Sequence, residues 1–274
     1  MRRRRIGLGR RALLGAYAVL VVVPLLVVLT ATVKTDAELF ADPFGLPSGL
    51  DLGNYRTIFG EQELGRYFLN SLLVAAVSVP ATLLAGSLAA YATSRMRGWV
   101  GWAVYGFFAL GMTVPAQVNM IPQYALFYDL GLTNSRFGLM LVNVVVTLPI
   151  AVFILGGFMR TLPRELFEAA MVDGAGPWRT YRSIAMPLSL PSLSATAIFL
   201  FVIHWNDLLY PLLFISRDEL KTLPLALLDF KGEFLTNYPL LFTGVVVASA
   251  PLVVAYVFLQ RYFVAGITAG GVKG

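Results

Sequence analysis

Amide, imidazole and carboxylate side chains interrupt stretches that are otherwise apolar: Gln117, Asn119, Gln123, Asn143, His204, Asn206 and Asp207. Trp205 and Tyr210, aromatic residues with polar tips, stand beside the last three. Such groups suit a hydroxyl-rich solute. Amides and a carboxylate pair with hydroxyls, and an aromatic face covers C–H surface. Asn119, Trp205, Asn206, Asp207 and Tyr210 are therefore the candidates for solute contact. The same residue types also serve structure, since Trp and Tyr populate membrane interfaces and Asn or Gln join helices within a bilayer. Both roles are open from sequence. His204, the single histidine in a chain without cysteine, suits an interhelical hydrogen bond better than a proton relay or a metal site, so no metal is expected.

Other chemistry is poorly supplied. Neither His-Glu-x-x-His nor Gly-x-Ser-x-Gly occurs, and no acid/base pair sits inside the apolar windows, which argues against an intramembrane enzyme. A Gly-x4-Gly-Lys-Ser/Thr phosphate loop is missing too. Energy for any driven process must come from another polypeptide.

The elements that position these groups follow from charge. Only 13% of the 274 residues are charged, against about 25% in a soluble domain, and the mean hydropathy is +0.74. An ionised group at mid-bilayer costs about 2.5 to 3.5 kcal/mol on insertion scales, so windows without Asp, Glu, Lys or Arg locate the spans. They run from Ala12 to Val33, Tyr67 to Ser94, Gly98 to Tyr128, Phe137 to Met159, Ser183 to Asn206 and Phe234 to Gln260. The fold class is all-α integral membrane with six transmembrane helices. Residues 12–260 form one transmembrane domain, flanked by a basic N-terminal segment (1–11) and a C-terminal tail (261–274). A cleaved leader is the other reading of the first segment. The long apolar run, Pro24 and the poor cleavage site at Ala31-Thr32-Val33 weigh against it.

Orientation follows from Lys and Arg. Arg2 to Arg5, Arg10, Arg11, Arg95, Arg97, Arg160, Arg164, Arg179, Arg182, Arg261 and Lys273 fall on one side, opposed there only by Glu165, Glu168 and Asp173. That side is assigned to the cytoplasm, with both termini. The formal net charge of +6 is a topology signal rather than a nucleic-acid footprint. On the other side, Arg217, Asp218, Glu219 and Lys221 form a cluster that is either simply solvated or a contact for an incoming protein.

One charged island lies on the basic side, at about residues 160–191. Pro163 suits the start of a helix, and Glu165 and Glu168 place negative charge toward its positive end. Gly174 stops that helix, Pro177 starts a second, and Pro187 and Pro191 confine it. Leu166, Ala169, Ala170 and Asp173 share one face by spacing, and their alanines leave a shallow surface that another protein can approach. An amphipathic hairpin without special function fits the spacing as well. Small residues along the second window, among them Ala75, Ala85, Gly86 and Ala90, predict close helix packing.

Within that island, Glu168-Ala169-Ala170, Asp173-Gly174-Ala175, Tyr181, Pro187 and Pro191 resemble the EAA loop of ABC-importer permease subunits. Further segments resemble the carbohydrate-uptake branch, the maltose-permease G-type subunits and their relatives. They are Asn70-Ser71, Ala89-Ala90-Tyr91-Ala92, Ile121-Pro122, Leu130-Gly131-Leu132-Thr133-Asn134, Trp205-Asn206-Asp207 and the tail from Gln260 to Gly274. Two departures stand out. Tyr181 replaces a frequent Phe, and Ala265 stands where such tails often carry a basic residue.

The resemblance implies a permease subunit of a binding-protein-dependent importer for sugars or oligosaccharides in a bacterial or archaeal inner membrane. Implied partners are a second permease subunit in a heterodimer, two ATPase subunits and an extracytoplasmic solute-binding protein. ATP and Mg would sit on the ATPases, with no cofactor and no catalysis on this chain. Glu168, Ala169, Ala170, Asp173, Gly174 and Ala175 would form the ATPase-coupling site. Glycerol-phosphate and polyol solutes occur in the same branch. A self-sufficient secondary transporter is the competing class, and Asp207 is its sole candidate for an ion-coupling carboxylate.

Overall fold

The computed structural model describes residues 8–96, 98–230 and 236–271, with side chains from residue 9 to residue 257. Its helices, in chain order, are α1 Leu8–Ala31, α2 Asp36–Ala41, α3 Gly53–Gly60, α4 Leu64–Arg95, α5 Trp99–Gly111, α6 Ala116–Asp129, α7 Arg136–Met159, α8 Arg164–Val172, α9 Pro177–Thr180, α10 Met186–Leu188, α11 Leu190–Trp205, α12 Leu209–Phe214, α13 Leu223–Ala226 and α14 Tyr238–Gly271. Among the described residues four helices, α1, α4, α7 and α14, are long and apolar enough to cross a bilayer, and the count reaches six if each of two bent pairs is one span.

Two of the six charge-free windows hold bent helix pairs instead of single helices. The window from Gly98 to Tyr128 contains α5 and α6, which meet at 91°. Proline is the cause. Pro115 has no N–H to continue the ladder and pushes the preceding residue out of helical geometry; it stands extended, at φ −55° and ψ 131°. The second pair, Pro177–Leu188 and Leu190–Trp205, meets at 75°. Before this bend, Tyr181–Ala185 widens into a π-turn, with the Met186 N–H reaching Tyr181 O. That widening accommodates Pro187, whose ring would collide with a carbonyl of a regular α-turn. The straight helix of the fifth window, α11, therefore begins at Leu190.

The chain folds as two compact units, one of residues up to Arg66 with Ala226–Ala250, the other of Tyr67–Leu225 with Pro251 onward. In the first, buried Lys34 donates through Nζ to Asp42 O at 2.9 Å and Gly45 O at 2.7 Å. Asn54 Nδ2 reaches Thr32 O at 3.0 Å and Lys34 O at 2.9 Å. Carbonyls thus satisfy the buried ammonium and order the turn after α1. The most apolar window of α1 has none of its residues buried within the chain.

In the second unit α7 is the central helix, burying Leu139, Val142, Ala151, Val152, Leu155 and Met159. Ala90 of α4 and Leu193 of α11 pack with Leu155 and Met159, while Val79 and Leu200 pack with Ala151. The expected close packing is present. A Cβ added at Gly86 would lie 2.9 Å from the Ala151 side chain, and one at Gly156 would lie 2.8 Å from Tyr105.

Candidate functional site

The loop joining α7 to α11 is built from its caps. Pro163 precedes α8, whose first turn carries Glu165. At the other end Gly174 N donates to Met171 O at 3.1 Å and Ala175 N to Ala170 O at 2.9 Å. This is a Schellman cap, which needs a left-handed residue after the helix; Gly174 supplies it at φ +72°. Gly176 then caps α9, with Pro177 in its first turn.

Aromatic side chains fasten this loop to the body of the second unit. Phe167, Tyr181 and Ala185 are buried together, with Tyr91 and Leu162 packed against them. The Tyr181 hydroxyl lies 2.8 Å from Ser87 Oγ of α4. Tyr181 thus keeps the aromatic anchor expected of it and adds a hydrogen bond that Phe could not make. The Arg95 guanidinium lies 3.6 Å above the Phe167 ring and donates through Nη2 to Met159 O at 2.9 Å. The ends of α4 and α7 and the flank of α8 are therefore joined through one side chain.

The outward surface differs from the sequence expectation in one respect. Ala170 is buried beside Phe167, so it faces the protein, whereas Leu166, Glu168, Ala169, Asp173 and Gly174 are exposed and Ala175 is half-buried. Phe167 explains the difference, because a ring buried at this position carries residue 170, three positions on, to the same inward face. Sequence reasoning passed over Met171, Val172 and Trp178, which are 59%, 88% and 63% exposed and give the outer surface its apolar character. Consecutive apolar residues at a helix end are the signal that could have found them.

The polar residues of the spans divide into three groups. His204, Thr147 and Thr82 join α11, α7 and α4: His204 Nε2 is 3.1 Å from Thr147 Oγ1, which is 3.3 Å from Thr82 Oγ1 and 2.6 Å from Asn143 O. His204 is an interhelical hydrogen bonder, as expected. Asn206 and Asp207 occupy the break between α11 and α12. Tyr210 N donates to Asp207 Oδ1 at 3.3 Å, and the Tyr210 hydroxyl donates to Gln123 Oε1 of α6 at 2.8 Å. The other carboxylate oxygen, Oδ2, is buried and has no hydrogen-bond partner among the described residues. Asn206 is exposed, its Nδ2 turned back to Val202 O at 2.9 Å. Asn119 is exposed on α6, one turn before Gln123. Trp205 differs from these. Only 1% exposed, it packs against Phe68 and Phe201 at ring distances of 5.3 and 5.6 Å and offers no open face.

A third group pins the segment after α12. Asn134, at φ +51°, accepts through Oδ1 from Ser216 N at 2.6 Å and Arg217 N at 3.2 Å. Asn70 Nδ2 donates to Glu219 O at 3.0 Å and Lys221 O at 2.9 Å, and Ser71 Oγ accepts from Leu223 N at 2.8 Å. The Asn70-Ser71 and Leu130 to Asn134 segments thus hold one loop.

Residues 81–269 match the family of binding-protein-dependent transport system inner membrane components. The chain belongs to that family. This transport component, a multi-pass inner-membrane protein, is 32% identical to the diacetylchitobiose uptake system permease protein of Streptomyces coelicolor over 97% of this chain and 89% of that one. It is 31% identical to the melibiose/raffinose/stachyose import permease protein of Bacillus subtilis over 92% and 91% of the two chains. Its fold matches that of a solved bacterial ABC transporter involved in alginate import, with a TM-score of 0.83 at 21% identity, covering 94% of this chain and 96% of that one. The matched residues include the loop after α7. The tail from Gln260 to Gly274 lies outside the described residues except for its helical backbone to Gly271.

Proposed function

We propose that this chain is one permease half of an ATP-driven importer of sugars or oligosaccharides, and that the loop around α8 couples it to an ATPase. The observation that carries this reading is the loop itself: a short helix ended by left-handed Gly174, anchored inward by Phe167 and Tyr181, presenting Glu168, Ala169 and Asp173 outward. A rigidly anchored helix with an apolar and acidic outer face suits docking of a second protein and transmits its motion to the adjoining spans. Asp173 and Gly174 with Ala175 set the turn, Glu168 and Ala169 belong to the contact, and Ala170 supports it from beneath.

The partners of this reading are a second permease subunit, two ATPases holding ATP and Mg, and an extracytoplasmic solute-binding protein. Residues 12–260 act as one permease domain, with both termini in the cytoplasm. Closure of the ATPases moves the α8 loop and the spans on either side of it, alternating access to the pathway; substrate and nucleotide must favour different states for this to work. Asp207 contacts solute at the break in the fifth span, Asn206 and Asn119 line the approach, and Tyr210 and Trp205, both buried, back the site. Uptake of labelled sugar by cells expressing the whole assembly, depleted of ATP with the ion gradient intact, tests the reading. It predicts loss of uptake. Survival would transfer the chain to ion-coupled transport, with Asp207 as the coupling group.

A further inference from the structure

A cavity of about 1130 Å³ lies in the second unit where α4 ends, α5 begins and α7 ends, bordered by the α8–α9 loop. Arg95, Arg160 and Arg164 line it against one acidic residue, Glu168. Two of these guanidinium groups are fixed. Arg160 lies 4.2 Å from the Trp102 ring and 4.5 Å from the Tyr105 ring, and its Nη2 donates to Thr93 O at 3.3 Å and Gly101 O at 3.2 Å. Arg95 is held between Phe167 and Met159 O. Nε of both is buried without a hydrogen-bond partner among the described residues. The ion pairs found among those residues, Glu63 with Arg66, Glu219 with Arg217 and Asp218 with Lys221, all lie elsewhere. Positive charge is thus concentrated and oriented, with one carboxylate, Glu168, in the same lining.

We infer that this cavity binds the phosphate headgroup of an anionic phospholipid, an assignment that rests on the cytoplasmic placement of the α8 loop proposed above. Guanidinium N–H groups match phosphate oxygens, and arginines held by aromatic rings and carbonyls lose little freedom on binding. The cavity opens where spans end, which is headgroup depth. Its lining carries exposed apolar side chains, Trp102 at 63%, Met96 at 45% and Leu88 at 37%, a surface for glycerol backbone and acyl chains rather than for a soluble anion. A bound lipid would bridge α4 and α5 to the loop and so bias the position of the coupling helix.

The test uses the intact assembly, captured through this chain in mild detergent and titrated with phosphatidylglycerol or phosphatidylcholine while bound lipids are counted by native mass spectrometry. Phosphatidylglycerol should be retained in preference, and Arg164→Gln should weaken that preference about fivefold, the effect of one basic residue near an anionic surface. Because Arg95 and Arg160 also hold backbone carbonyls, Arg164→Lys serves as the second variant, keeping the charge but losing the fork; it too should lower retention, with the unfolding temperature of the assembly unchanged. Equal retention of the two lipids, or an unaltered preference in both variants, would overturn the site. So would stabilisation by inorganic phosphate alone equal to that by phosphatidylglycerol, which would make the occupant a soluble anion. Lipid binding that appears only after the ATPase is stripped off would make the cavity a protein contact and overturn it as well. Orientation is read independently by labelling a single cysteine placed at Gly176 in this cysteine-free chain, so failure of topology and failure of the site are distinguishable.

Discussion

Replacement of Gly174 separates backbone strain from steric fit at the coupling loop. A Cβ added there meets nothing within 4 Å, so collision is not the expected source of harm. The cost lies in φ +72°, a conformation that places an L-residue's Cβ against its own carbonyl at about 1 to 2 kcal/mol. Set against an undocked, relaxed loop in the same folded protein, that strain shifts the balance about 5- to 30-fold away from the closed cap. Asn tolerates the left-handed region better than Ala although its side chain is larger. Transport-coupled ATPase activity in proteoliposomes should therefore rank Gly, then Asn, then Ala, then Val, with membrane insertion and yield unchanged. Activity that falls with side-chain volume, so that Ala outperforms Asn, would refute the strain argument, and an Ala variant equal to the parent would remove the left-handed cap from the mechanism.

Other expectations follow from individual contacts. Tyr181→Phe removes the bond to Ser87 Oγ at 2.8 Å and should cost about 0.5 to 1.5 kcal/mol, read as a lower melting point in detergent, while Tyr181→Ala should dissociate the loop and abolish coupling. Gly86→Leu places side-chain atoms within the α4–α7 contact and should sharply reduce folded yield; Gly106→Ala, where an added Cβ meets nothing within 4 Å, should be tolerated. Asp207→Asn preserves the acceptor for Tyr210 N and should change the solute concentration dependence of uptake while leaving ATPase recovery intact. An unaltered concentration dependence would assign Asp207 to structure alone.

Much of the architecture was legible because charge is expensive in a bilayer, so the charge-free windows marked α1, α4 and α7 within a few residues. Hydropathy is blind to direction. It could not report that one window turns through 91° at Pro115 or that a π-turn and a bend precede the straight helix starting at Leu190. Gly174 and Pro177 were readable because local backbone chemistry alone fixes their roles. The burial of Ala170 was not, since it depends on Phe167 finding Tyr91 and Tyr181, contacts between residues up to 90 positions apart in sequence. Trp205 shows the same limit. Its neighbours Asn206 and Asp207 made it look like part of a binding surface, yet Phe68 from a distant helix buries it.

Recovery of partners by this chain tests whether the α8 loop docks an ATPase. The chain is purified from native membranes in mild detergent, and co-purifying proteins are identified by mass spectrometry for the wild type and for Glu168→Arg. Glu168 is exposed on the loop, so the reversal of charge should not disturb folding. An ATPase and a second permease should accompany the wild type, with selective loss of the ATPase in the variant. A lone or purely homomeric protein under several gentle conditions, or wild-type recovery of the ATPase by Glu168→Arg, would contradict that docking.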